Sequence, residues 1–88
     1  MTPLLIAHRG DTGHFPENTL EAFESAFELG AGGIECDIQC DKTGRLIVVH
    51  DYLYDKSKQY PLLETVLEKF SDRGRIEIEL KCFESMLT

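Results

Sequence analysis

Residues 34–51 read IECDIQCDKTGRLIVVHD and contain the pattern from which the fold is predicted. Residues 34–40 alternate in polarity, with Ile34, Cys36, Ile38 and Cys40 on one face and Glu35, Asp37 and Gln39 on the other. This period of two predicts a half-buried β-strand. Residues 41–44 (DKTG) predict a turn, and residues 45–49 (RLIVV) a return strand that ends at His50-Asp51.

The flanking residues predict a strand and a helix on the N-terminal side of this hairpin. The apolar run Pro3–Ala7 predicts a strand that ends at His8-Arg9-Gly10. A helix then follows the loop of residues 11–16. Asn18 and Glu21 form an N-x-x-E capping pattern, so we expect Asn18 to cap it. Its apolar face consists of Leu20, Phe23 and Phe27 with Ala22 and Ala26.

The C-terminal side repeats this arrangement. Leu63, Val66, Leu67 and Phe70 have i, i+3, i+4, i+7 spacing, which predicts a second amphipathic helix. Residues 75–81 (RIEIELK) again alternate, with Ile76, Ile78 and Leu80 on one face and Glu77, Glu79 and Lys81 on the other. Residues 82–88 could begin a further helix. Strands separated by helices predict an α/β fold with parallel neighbouring strands.

Composition and charge limit the classes of partner. The 88 residues carry a net charge of −7, which argues against nucleic acid as a partner because phosphate backbones bind basic surfaces. No apolar run is long enough to cross a membrane, and no signal peptide is visible at the N-terminus. Three cysteines without a CxxC pair favour reduced thiols over a disulfide. We therefore expect a single cytoplasmic domain without a transmembrane segment.

Ionisable residues gather at the predicted carboxyl ends of the strands, where parallel α/β folds place their functional groups. Glu35 and Asp37 would repel each other on one strand face unless a cation lay between them, and carboxylates favour Mg²⁺ or Ca²⁺. Two solvated surface acids are the alternative interpretation. Two histidines near the same strand ends favour acid–base chemistry, although either alone would more often be structural. We expect no catalytic role for His14.

Five motifs in the chain resemble those of the glycerophosphodiester phosphodiesterase family. In chain order they are His8-Arg9-Gly10, Pro16-Glu17-Asn18-Thr19, Glu35-x-Asp37, His50-Asp51 and Glu79-x-Lys81. The resemblance runs through nearly the whole chain but covers only the N-terminal part of the family domain. It implies a partial TIM-type (β/α) barrel, comprising about the first three β/α units of a (β/α)₈ barrel.

The resemblance also implies a function, hydrolysis of glycerophosphodiesters to glycerol 3-phosphate and an alcohol with a divalent metal, Mg²⁺ or Ca²⁺. The motif positions imply four groups of residues. These are metal ligands (Glu35, Asp37 and Glu79), an acid–base pair (His8 and His50), phosphate contacts (Arg9 and Lys81) and supporting residues (Glu17, Asn18 and Asp51). From the residues alone, a surface ion pair is an equally good interpretation of Glu79 and Lys81.

The length of the chain opens alternatives to an active enzyme. A complete TIM barrel needs about 250 residues, so residues 1–88 are expected to form a single, truncated domain with open sheet edges. We therefore expect a homo-oligomer or a complementary barrel fragment as partner. The chain is then either an active phosphodiesterase or an inactive remnant or metal-binding module of the same family. A generic α/β module without a site is the third alternative. The segment between Asp51 and Pro61 is shorter than family members commonly have.

Overall fold

The computed structural model describes residues 5–51 and 53–81. Its elements, in chain order, are β1 (Ile6–His8), α1 (Leu20–Glu28), β2 (Gly33–Cys40), β3 (Leu46–Val48), α2 (Leu63–Phe70) and β4 (Arg75–Leu80). This is the predicted order of strands and helices. The expectation for residues 82–88, like the first residues of the predicted strand Pro3–Ala7, lies outside the described residues. Among the described residues, that strand begins at Ile6 and continues to His8, which corrects its predicted range.

β2 is the central strand of the sheet. β1 and β4 both pair with it in parallel, and β3 pairs with its last three residues in antiparallel register. Because β4 pairs along residues 33–38, β1 and β3 must share the opposite edge of β2. The predicted parallel strands and hairpin are confirmed, and the described sheet is open.

Both helices cover one face of this sheet. The buried cluster contains the apolar residues of β2 together with Phe23 and Phe27 of α1 and Val66 and Phe70 of α2. The rings of Phe27 and Phe70 stack with centroids 5.6 Å apart, which joins the two helices across the core. Since Ile34, Cys36 and Ile38 point into this core, Glu35 and Asp37 must point to the other face.

The expected N-cap of α1 was wrong. The N-cap of α1 is Thr19, whose hydroxyl accepts a hydrogen bond from the backbone N–H of Ala22, and not Asn18. Asn18 adopts a left-handed backbone conformation (φ 57°), whereas an N-cap residue is normally extended. On β4, Ile78 and Leu80 lie on the face opposite Glu79, as the alternation predicted, and are 42% and 54% exposed. Among the described elements, α1 packs chiefly on β2 and α2 chiefly on β3, which leaves these two side chains partly exposed.

The prediction of reduced thiols holds for Cys36, which is a free cysteine and is completely buried. Burial raises the pKa of the Cys36 thiol to about 12, so this thiol stays protonated and unreactive. Cys40 is half-buried, and Cys82 lies outside the described residues.

Candidate functional site

Three carboxylates meet on the open face of the sheet. Glu35 and Asp37 are two residues apart on β2, and the parallel register places Glu79 of β4 directly beside Asp37. One oxygen from each of these three side chains lies within 4.8 Å of the other two. We call these residues the acidic cluster. The sequence predicted this grouping, and it follows from strand parity and register.

Two oxygens of the acidic cluster are buried without a hydrogen-bond donor among the described residues. They are Oδ1 of Asp37 and Oε1 of Glu35. A buried carboxylate oxygen without a partner is costly, and such atoms usually have a bound ion or water. Oxygen ligands from three carboxylates suit a hard divalent cation such as Mg²⁺ or Ca²⁺. The donor set therefore fits the metal that the sequence predicted.

The pKa of Glu35 shows the electrostatic cost of this arrangement. Burial raises the pKa of Glu35 above its ordinary value, and the neighbouring negative charge of Asp37 raises it further. His8 and Arg9 act in the opposite direction but do not cancel these effects. A divalent cation would remove the repulsion between the carboxylates and favour the ionised form of Glu35.

Asn18 holds the buried Asp37 from the loop before α1. The Asn18 side chain donates through Nδ2 to Oδ2 of Asp37 at 2.9 Å, and the backbone N–H of Asp37 donates to Oδ1 of Asn18 at 3.3 Å. Both residues are almost completely buried. The positive φ of Asn18 turns its side chain toward β2, a conformation that asparagine tolerates better than most residues. Asn18 was expected to support the site, and its contacts are with a residue of the acidic cluster.

Arg9 lies between two acids immediately after β1. Its Nη1 donates to Oε1 of Glu17 at 3.2 Å, and its Nε lies 3.1 Å from Oδ2 of Asp37 without hydrogen-bond geometry. Its backbone is also left-handed, with φ 62°. Burial lowers the pKa of Arg9, but the charges of Glu17 and Asp37 outweigh this and raise it overall. Arg9 therefore brings a permanent positive charge to the edge of the acidic cluster.

The two predicted acid–base histidines also lie beside β2. His8 is paired with Glu35 in the β1–β2 register, and its Nδ1 lies 3.4 Å from Oε1 of Glu35. His50 follows β3, where the N–H of Val49 donates to the carbonyl of Asp37. The Nδ1 of His50 lies 2.9 Å from Oδ1 of Asp51. Both rings thus have Nδ1 next to a carboxylate.

The remaining predicted residues occupy the rim of the site or lie away from it. Lys81 donates through Nζ to Oε1 of Glu79 at 3.2 Å, so it adjoins the acidic cluster. Glu17 contacts the site through Arg9. His14 instead pairs with Asp11 at 2.7 Å.

Gln39 is a member of this environment that the sequence reasoning did not assign. It is buried on β2, and its Nε2 donates to the carbonyl of His50 at 3.1 Å. This bond fixes the main chain that carries the His50 ring. The available signal was parity, because Gln39 shares a strand face with Glu35 and Asp37.

Comparison with known proteins identifies a family. Residues 8–60 match the model of the glycerophosphoryl diester phosphodiesterase family. A glycerophosphodiester phosphodiesterase from Bacillus altitudinis is 39% identical over 109 aligned residues, which include 88% of this chain and 44% of the relative. Because this alignment is longer than the 88-residue chain, the relative has residues without a counterpart here.

Two solved structures show the same fold. The glycerophosphodiester phosphodiesterase from Agrobacterium tumefaciens superposes with a TM-score of 0.85 at 25% identity, covering 98% of this chain and 51% of that one. The enzyme from Thermotoga maritima gives 0.81 at 31% identity, covering 99% and 49%. The chain therefore spans about half the length of these proteins, and the predicted partial barrel is confirmed. No helix among the described residues is long and apolar enough to cross a membrane.

Proposed function

Since this chain belongs to the glycerophosphoryl diester phosphodiesterase family, we propose that it hydrolyses glycerophosphodiesters to glycerol 3-phosphate and an alcohol with the help of a divalent cation. The observation that carries this proposal is the acidic cluster with its two orphaned buried oxygens, flanked by His8. A phosphodiester is an anion, so a site that hydrolyses it must first offset the charge of three carboxylates.

Glu35, Asp37 and Glu79 are the proposed ligands of Mg²⁺ or Ca²⁺. A bound cation would act as a Lewis acid on the phosphoryl group. Arg9 and Lys81 would extend this positive charge toward the phosphate, because both already lie against residues of the acidic cluster. Asn18 would keep Asp37 in place as a ligand through its hydrogen bond to Oδ2.

His8 and His50 are the proposed acid–base pair. In each ring, Nδ1 lies next to a carboxylate, Glu35 for His8 and Asp51 for His50. With Nδ1 of His50 donating to Asp51, its neutral ring would leave Nε2 as an acceptor, and a protonated ring of either histidine can donate from Nε2. One histidine would take the proton of the attacking oxygen, and the other would protonate the leaving oxygen.

The experiment is release of glycerol 3-phosphate from glycerophosphocholine and glycerophosphoethanolamine by the purified 88-residue chain. It is run with Ca²⁺, with Mg²⁺ and with chelator. We expect release only with a metal, and His8→Ala should lower it by about 10²–10⁴-fold. His14→Ala is the matched control, because His14 is exposed and paired with Asp11 away from the site. Release that is unchanged in chelator would refute the metal role.

The second candidate is an inactive remnant or metal-binding module that needs a complementary fragment or a second copy. The open sheet and the match to about half of the solved structures favour it. It predicts that the folded chain binds the metal but releases no glycerol 3-phosphate under any condition. Metal-dependent release by the chain would exclude this candidate.

A further inference from the structure

A cavity lies at the turn of the β2–β3 hairpin, away from the acidic cluster. It has a volume of about 530 Å³ and is formed by the hairpin turn, residues 54–60 and the start of α2. Asp41, which lines it, follows Asp37 by four residues, on the order of 13 Å of extended chain. The cavity is therefore separate from the acidic cluster.

The lining of this cavity has the opposite charge to the chain as a whole. Four of the nine Lys and Arg residues line it, against one acidic residue, Asp41, in a chain of net charge −7. We call this cavity the basic pocket and define it by six side chains: Lys42, Arg45, Lys56, Lys58, Tyr54 and Tyr60.

These cations are not neutralised by ion pairs. Among residues 5–51 and 53–81, no carboxylate oxygen lies within ion-pair distance of the four cationic groups. Asp41 is held by its own turn, since its Oδ1 accepts from the N–H and hydroxyl of Thr43 and from the N–H of Arg45. Asp55 is likewise held by Ser57. The nearby acids thus bind mainly to their own turns, and although Arg45 and Lys58 feel the charges of Asp41 and Asp55, the lining as a whole is positive.

Two tyrosines supply aromatic surface to the lining. The rings of Tyr54 and Tyr60 pack edge to face with centroids 5.5 Å apart, and Nζ of Lys56 lies 5.8 Å from the centroid of Tyr54. Phosphate groups are recognised by Lys and Arg side chains, and aromatic rings contact an apolar or planar organic group. A cavity lined by both cationic and aromatic side chains can therefore contact the phosphate and the organic group of one ligand at the same time.

We propose that the basic pocket binds a small organic phosphate, with its phosphate on the Lys and Arg side chains and its organic part against Tyr54 and Tyr60. This site is distinct from the acidic cluster and does not depend on the proposed hydrolysis. A cavity of this volume suits a small molecule, and the acidic surface elsewhere on the chain would repel the same ligand.

The test is calorimetric titration of the metal-free chain with phenyl phosphate, inorganic phosphate and phenol in chelator at constant ionic strength. We expect phenyl phosphate to bind more tightly than either of the other two. Lys56→Gln and Lys58→Gln should each weaken it by about tenfold. Lys69→Gln is the matched control, since Lys69 lies on α2 and does not line the basic pocket.

Amide chemical shifts locate the ligand independently of affinity and of hydrolysis. Phenyl phosphate should shift residues 41–45 and 54–60 and leave residues 35–37 unchanged. Equal affinity of the wild-type chain and the Lys56→Gln and Lys58→Gln variants would overturn the proposal. So would shifts centred on the acidic cluster, or a response that sodium chloride reproduces.

Discussion

The contact between Asn18 and Asp37 gives the sharpest prediction about stability. Asn18→Gly removes both hydrogen bonds between these residues while keeping a residue that tolerates φ 57°. The bond to the buried carboxylate is worth about 1.5–3 kcal/mol, and the longer bond from the Asp37 N–H about 0.5–1.5 kcal/mol. Asn18→Gly should therefore lower the free energy of unfolding by about 2–4 kcal/mol.

Asn18→Ala should cost more than Asn18→Gly, by about 1 kcal/mol. Alanine loses the same hydrogen bonds but is also strained in the left-handed conformation. A simple loss of side-chain packing predicts the reverse order, because alanine keeps a Cβ that glycine lacks. The order of the two variants thus separates the hydrogen-bond account from a packing account.

The assay is urea unfolding followed by far-ultraviolet circular dichroism in chelator, since the chain has no tryptophan. Gln59→Ala, which changes an exposed amide in a loop, is the control and should stay within about 0.5 kcal/mol of wild type. The proposed role of the Asn18 hydrogen bonds is wrong if Asn18→Gly lowers the free energy of unfolding by less than about 0.5 kcal/mol. It is also wrong if the Asn18→Gly variant is less stable than the Asn18→Ala variant.

Three further predictions concern Glu35, Gly10 and the helix cap. Because the folded-state pKa of Glu35 lies above its ordinary value of 4.5, its ionisation costs stability as the pH rises from 4.5 through the raised pKa. Glu35→Gln should therefore raise the thermal unfolding midpoint at pH 8 in chelator, and this increase over wild type should shrink below pH 4.5. An increase that stays constant between these pH values would contradict the prediction. Gly10→Ala places a Cβ 2.7 Å from the Cβ of Ala22 and should unfold the chain. Gly44 has a similar positive φ but open space around it, so Gly44→Ala should lower the free energy of unfolding in urea by only about 1 kcal/mol. Equal losses of stability in the two variants would exclude the steric explanation. Thr19→Ala removes the N-cap bond and should cost about 1 kcal/mol in the same unfolding assay, an unchanged midpoint being the contrary result.

The strands and the faces of their side chains could be predicted because they depend on parity, whereas the metal role of Glu79 was implied by the family resemblance. Residues 34–40 alternate so regularly that the two faces of β2 are fixed before any tertiary contact is considered. Once β2 and β4 are parallel, register places Glu79 beside Asp37. The pairing register of β2 and β4, in addition to the order of strands and helices, is what brings the three carboxylates together.

The contacts from the loop before α1 could not be predicted, because they depend on backbone conformation. A capping pattern assigned Asn18 to the helix, but Thr19 also has a hydroxyl that can cap, and it occupies the extended position. Because Thr19 caps the helix, the side chain of Asn18 can instead hydrogen-bond to Asp37 of β2, 19 residues later in the sequence. The left-handed φ of Arg9 and Asn18 is a property of the folded loop that residue type alone does not determine.

Exposure along β4 is a further feature that the sequence pattern does not determine. Alternation correctly assigned Ile78 and Leu80 to the face opposite Glu79, yet it does not determine whether a helix covers that face. In the described part of the chain, α1 and α2 pack on β2 and β3, so the apolar face of β4 is left partly exposed. Strand patterns predict which face is apolar, whereas burial depends on the neighbouring elements.

Calorimetric titration of the chain with Mg²⁺ and Ca²⁺ tests whether Glu35, Asp37 and Glu79 form a divalent cation site. The account predicts one ion per chain, with binding greatly weakened in Glu35→Gln and Glu79→Gln. Glu24→Gln is the matched control, because Glu24 lies on α1 and pairs with Arg73. Equal binding by all four proteins, or no binding of either ion to the folded wild-type chain, would contradict the account.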